Sequence, residues 1–162
     1  MPALFDDEIA GLLRAHRPRS LLAVVAGAAV PGLAAYRAAG GDIQVTSLPP
    51  GRAMETLNDL GRFDAALLAG ALEVLGKAAG NRLIASLRDV HAAHLYVAAP
   101  AGVGEDRWTD EEMRALGLTL VARDDRRRLC LHQFDIAAYK QTPDWLNADH
   151  WANPQLWDKY RW

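Results

Sequence analysis

Three short apolar runs restrict what this chain can fold into: Leu21-Leu22-Ala23-Val24-Val25-Ala26, Ala65-Ala66-Leu67-Leu68-Ala69 and Leu95-Tyr96-Val97-Ala98-Ala99. Each is too short for a helix that crosses a membrane and lacks the polar alternation of a half-exposed strand. Continuous runs of this kind belong to strands buried on both faces, as in the centre of a parallel sheet. Between them lie segments with apolar residues at helical spacing, so helices must cover both faces of that sheet.

The elements follow in order. Leu4, Phe5, Ile9, Leu12 and Leu13 predict an amphipathic helix that stops before Pro18. A strand is expected from Ser20 to Gly27, and Pro31 suits the first turn of a helix that ends at Gly40-Gly41. The second strand, Asp42 to Leu48, is broken by Pro49-Pro50-Gly51. A short helix through Met54, Leu57 and Leu60 follows, then the third strand, Phe63–Ala69. A long helix is predicted over about Ala71 to Val90, with Leu72, Leu75, Leu83, Ile84 and Leu87 inward and Gly76 and Gly80 as points of weakness. The fourth strand, Ala93–Ala99, ends at Pro100. Thr109 stands three residues before Glu112, the spacing of a capping box, and that helix ends at Gly117. Leu118–Arg123 and Arg128–Ile136 complete the pattern as an antiparallel hairpin about Asp124-Asp125.

The expected fold is α/β: a doubly wound, mainly parallel, Rossmann-like sheet of about six strands with a C-terminal antiparallel hairpin. Right-handed crossovers are expected, with the strand order 2-1-3-4-6-5. Residues 1–136 form the α/β domain in this reading, and residues 137–162 form a Trp-rich tail.

Composition removes several classes of function. The chain is 51% hydrophobic and carries a net charge of -2, so no general positive field draws it to nucleic acid or to an anionic membrane. Arg126-Arg127-Arg128 follows Asp124-Asp125 and reads as a solvated hairpin tip, more readily than as a phosphate patch. Cys130 is the single cysteine, which leaves neither an internal disulfide nor a thiolate cluster. Asp6, Asp7 and Glu8 stand where a secretory signal would be basic, and no apolar stretch is long enough to span a bilayer. A cytoplasmic protein is expected.

The sequence carries a resemblance. Phe63-Asp64-Ala65-Ala66-Leu67-Leu68-Ala69-Gly70-Ala71-Leu72-Glu73-Val74-Leu75 resembles the fourth strand and following helix of class I methyltransferases. His94–Pro100 resembles their fifth strand. Trp108 to Gly117 and the closing hairpin resemble their last helix and final strands. The likeness covers roughly residues 1–136. The ending Tyr139–Trp162 resembles that of a small uncharacterised gammaproteobacterial family. The superfamily implies S-adenosylmethionine as cofactor, held by a Gly-rich loop after the first strand and by an acidic residue after the second. Here the loop is Ala26-Gly27-Ala28-Ala29-Val30-Pro31-Gly32, and the second strand ends Thr46-Ser47-Leu48-Pro49 without a carboxylate. The segment matching the superfamily's third strand is missing or much shortened.

A ligand site in such a sheet lies beyond the carboxyl ends of the strands, where the strand order reverses. That gathers Gly27, Ala28, Ser47, Ala69 and Gly70, with Glu73 one helical turn further on. Small residues at those positions also serve close helix–strand packing, and a first-turn glutamate also complements a helix dipole. His91 and His94 have a metal-like spacing, but the predicted helix ends between them and no carboxylate accompanies them in sequence. His16, His132 and His150 have no companions either. The sequence alone assigns no Ser-His-Asp or Cys-His arrangement, and no phosphate-cradling GxxxxGK[ST] loop is present. No catalytic residue is assigned.

The tail holds Trp145, Trp151, Trp157 and Trp162, with Thr142-Pro143-Asp144 and Asn153-Pro154 as two helix starts. Indoles bury large areas, so the tail is expected to pack on the domain or on a second chain, a homodimer among the options. The leading expectation is a non-catalytic, methyltransferase-like protein that acts through such contacts. The alternatives are a methyltransferase with a divergent cofactor loop, with Tyr36 or Glu73 lining its pocket, and binding of another small metabolite in the same crevice.

Overall fold

A computed structural model describes residues 5–139. The four Trp residues expected at an interface, and the two helix starts among them, lie outside the described residues. Six strands form one sheet: β1 (Ser20–Val25), β2 (Gln44–Leu48), β3 (Phe63–Ala69), β4 (Ala92–Pro100), β5 (Thr119–Asp124) and β6 (Leu129–Asp135). Their order is β2-β1-β3-β4-β6-β5, as expected. β1 pairs in parallel with β2 and β3, and β3 with β4, while β6 runs antiparallel to β4 and to β5. The sheet is therefore mixed, parallel through its centre and closed by a hairpin strand inserted between β4 and β5.

Alternation along the buried strands sends neighbouring side chains to opposite faces. Leu21, Ala65, Leu67, Tyr96, Ala98 and Leu131 meet α1 (Asp6–His16) and Tyr36 of α2 (Leu33–Ala38). Leu22, Val24, Ala66, Leu68, Leu95, Val97 and Ala99 meet α3 (Ala53–Leu57), α4 (Ala71–Ser86) and α5 (Asp110–Ala115) on the other face. Burial on both sides explains why these runs carry no polar alternation. Among the described residues, no helix is long and apolar enough to cross a membrane.

Local chemistry sets the ends of the elements. α5 has its capping box: Thr109 Oγ1 accepts from the Glu112 amide at 3.2 Å, and Glu112 Oε2 accepts from the Thr109 amide at 2.8 Å. α2 starts two residues beyond Pro31, because Gly32 caps it in the left-handed region at φ 75°. The long helix departs from expectation at both ends. Gly76, at φ 76° and ψ 177°, breaks it after one turn, whereas Gly80 stays helical and buried. After Ser86 the chain widens into a π-helical turn, Leu87–His91, that feeds directly into β4. A short helix, α6 (Ile136–Tyr139), follows β6.

Candidate functional site

The carboxyl ends of β2, β1 and β3 lie side by side, with Val24 opposite Leu48 and Val25 opposite Ala69. This brings the residues singled out in the sequence to one end of the sheet. Gly27 and Ala28 are exposed in the loop after β1, Ser47 is exposed near the end of β2, and Ala69 and Gly70 are half-buried at the end of β3. Glu73 is exposed in the first turn of α4, where its charge complements the helix dipole.

The floor between β1 and β3 is closed by backbone. The Ala26 amide donates to the Ala69 carbonyl at 3.1 Å, which carries the pairing one residue past β1. Gly70 then turns the chain into α4 at φ 71°, and a Cβ there would lie 2.9 Å from the Cβ of Ala26. Packing thus requires the glycine at this place.

The two glycines of the loop after β1 differ. Gly32 is buried against α1: its amide donates to Asp6 Oδ1 at 2.7 Å, and a Cβ on it would lie 2.7 Å from the Ala10 nitrogen and from Ile9 Cγ2. Its close approach is to a helix of its own chain. Gly27 faces open space, since a Cβ there would meet nothing within 4 Å. At β2 the chain goes from Ser47 through half-buried Leu48 to Pro49 and then to buried Pro50, which opens a 3-10 turn over Pro50–Arg52. A pair of proline rings follows the strand where the superfamily's pattern calls for an acid. The residues present therefore meet one part of the requirement for S-adenosylmethionine, the open Gly27, and miss the acidic anchor and the second loop glycine.

Two histidine settings escaped the sequence. His91 and His94 are separated, as expected from the helix end between them: His91 is buried in the π-helical turn, its Nδ1 3.3 Å from the Gly61 carbonyl. The carboxylate missing from their sequence neighbourhood is supplied by β6, whose Asp135 stands opposite His94 across the antiparallel pair. His16, at the end of α1, stacks on His94 with ring centroids 3.9 Å apart. Its companion Tyr96 is buried, and that burial raises the phenol so that it keeps its proton. On the opposite face His132 is 2% exposed, with Nε2 3.5 Å from Asp110 Oδ1. Neither ring nitrogen of His132 forms a hydrogen bond among the described residues, and burial holds its pKa below the usual histidine value. Arg123 donates to Asp110 and, at 3.6 Å, to Cys130 Sγ. The thiol itself is raised by burial.

Sheet order, hairpin and helix placement together define a methyltransferase-like, Rossmann-like fold. Solved structures with this arrangement include the 1,6-didemethyltoxoflavin-N1-methyltransferase of Burkholderia thailandensis with bound S-adenosylhomocysteine (19% identity, TM-score 0.50, 79% of this chain and 75% of that one). The methyltransferase domain of bacterial CtHen1-CN is also similar, at 12% identity and TM-score 0.55 over 80% of this chain and 96% of that one. PigF with S-adenosylhomocysteine matches at 13% identity and TM-score 0.53, over 82% of this chain but 55% of that one. The chain belongs to DUF6231, a family of unknown function whose sequence pattern matches residues 4–162. No curated protein matches the chain.

Proposed function

We propose that this protein is a methyltransferase-like scaffold that does not use S-adenosylmethionine and acts through protein contacts made by residues 137–162. The observation that carries this reading is Gly32. One of the two glycines of the loop after β1 is enclosed by Ile9 and Ala10 of α1, which fixes the loop to its own helix. The absence of a carboxylate between Ser47 and Pro50 supports the same conclusion, because the end of β2 offers no charged acceptor for the hydroxyls of a ribose. The four tryptophans from Trp145 to Trp162 supply the contact surface, with a homodimer as the simplest assembly.

A second reading rests on Gly27, whose open surroundings leave room for a ligand beside Ala28, Ser47, Ala69, Gly70 and Glu73. In it the protein is a methyltransferase with a divergent loop, or the crevice takes another small metabolite. Calorimetric titration with S-adenosylmethionine and S-adenosylhomocysteine separates the two. A ligand at a hundred times its dissociation constant stabilises the native state by about 2.7 kcal/mol, a rise of several degrees in Tm. The scaffold reading expects no heat and no shift at millimolar ligand. Binding abolished by Gly27→Trp would overturn it in favour of the enzyme. Removing Tyr139–Trp162 is expected to change the oligomeric state or unfold the domain, and a truncated chain of unchanged mass and stability would also overturn it.

A further inference from the structure

At the amino-terminal end of the sheet, opposite the crevice, metal-ligating side chains from three elements converge. His16 is the last residue of α1, His94 lies near the start of β4 and Asp135 is the last residue of β6. His94 Nδ1 is 3.5 Å from Asp135 Oδ1, and His16 Nε2 is 3.9 Å from Asp135 Oδ2. One ligand atom from each of the three lies within 4.8 Å of the others. Nitrogen and oxygen ligands at about 2.0–2.2 Å from a tetrahedral cation stand roughly 3.3–3.6 Å apart, so little movement separates this cluster from a coordination shell. We propose that His16, His94 and Asp135 form a binding site for a divalent transition-metal ion of the zinc type.

The surrounding groups are arranged as they are around a metal. His16 Nδ1 is hydrogen-bonded to Tyr96 Oη at 2.5 Å, which fixes that nitrogen and leaves Nε2 directed at Asp135. Asp135 Oδ1 accepts from the Ala137 amide at 2.9 Å, so the carboxylate is itself oriented by backbone. His94 Nδ1 is buried and forms no hydrogen bond among the described residues. An imidazole nitrogen out of water and without such a partner is costly unless it can be ligated or protonated. Two imidazoles and one carboxylate are a borderline donor set, which favours zinc or cobalt over magnesium or calcium. Three protein ligands leave a fourth position for water or for a further group.

The stacked rings define the one rearrangement required. Parallel imidazoles, with 10° between their planes, hold their in-plane lone pairs in two separate, nearly parallel planes. Chelation by both therefore turns one ring about its Cβ–Cγ bond and opens the stack. A bound ion would then join the end of α1 to the start of β4 and the end of β6.

The test is titration of the chelator-treated full-length protein with Zn²⁺ and Co²⁺, followed by calorimetry and by the visible spectrum of cobalt. One ion per chain is expected, with a tetrahedral cobalt spectrum and no competition from Mg²⁺. His94→Ala and Asp135→Asn are expected to weaken binding at least tenfold, and Tyr96→Phe by about 10–100-fold through loss of the hydrogen bond behind His16. His150→Ala, in the tail, is expected to bind as the wild type does. Absence of binding, or affinity unchanged in His94→Ala and Asp135→Asn, overturns the proposal. Should the variants fail to fold, carbethoxylation of the wild type decides: Zn²⁺ must protect His16 and His94, and their equal modification with and without zinc overturns it.

Discussion

Gly32 lies so close to Ile9 that a methyl group on the glycine would come within 2.7 Å of the isoleucine Cγ2. The contact joins the loop after β1 to α1 and limits what that loop can approach. Gly32→Ala must both hold a left-handed backbone and displace α1, and the two effects together are expected to cost about 2–4 kcal/mol. Gly27→Ala meets nothing within 4 Å and is expected to change stability by less than about 0.5 kcal/mol. Urea denaturation of the two variants checks the contrast, and equal midpoints would refute this account of the loop.

Trp108 is 2% exposed beneath α4 and donates its indole N–H to Asn81 Oδ1 at 2.8 Å. Asn81→Leu removes the acceptor and leaves a buried donor unsatisfied. A loss of about 1–3 kcal/mol is expected in equilibrium unfolding. Lys77 sits 5.8 Å from the same indole ring and pairs with Glu112, so Lys77→Ala tests a contact nearer the solvent and is expected to cost less than about 1 kcal/mol.

His132 gives the fold a defined response to acid. Burial holds its folded pKa below the unfolded value of 6.5, Asp110 opposes that shift and Arg123 adds to it. The unfolded chain therefore binds the proton more readily. Stability from this residue is fully present above pH 6.5 and declines as the pH falls from there toward the folded pKa. The slope from one proton is at most about 1.4 kcal/mol per pH unit. His132→Phe is expected to flatten the stability profile in that window, and an unchanged slope would assign the acid response elsewhere.

Cys130 is 3% exposed and its thiol is raised by burial, with Arg123 pulling in the opposite direction. The native protein is expected to react with iodoacetamide far more slowly at pH 7 than the denatured chain does. Arg123→Ala is expected to slow it further. Faster alkylation in that variant would mean that the arginine acts as a cover and not as a charge.

Much of the scaffold was legible because burial on both faces leaves its mark on a strand. Phe63–Ala69 has the bounds its composition suggested, and the capping box of Thr109 and Glu112 forms as their spacing required. The ends of β1 and β2 were less legible, since they depend on pairing: β2 begins at Gln44, whose amide reaches the Arg19 carbonyl at 2.9 Å, and not at Asp42. The break at Gly76 could be anticipated from glycine alone, but nothing in the sequence distinguished it from Gly80, which the packing of Leu72 and Trp108 keeps helical. Of the crevice, sequence gave the positions of the six small or polar residues, while the enclosure of Gly32 by α1 required the fold. The grouping of His16, His94 and Asp135 was hidden for the same reason. Three elements distant along the chain supply one residue each, and antiparallel pairing of β6 with β4 brings the carboxylate to the imidazole.

That antiparallel strand also gives the molecule two poles. β6 starts beside Pro100 at the crevice end and finishes beside His94 at the other. The candidate metal ligands and the loop after β1 therefore stand at opposite ends of the sheet, a strand's length apart.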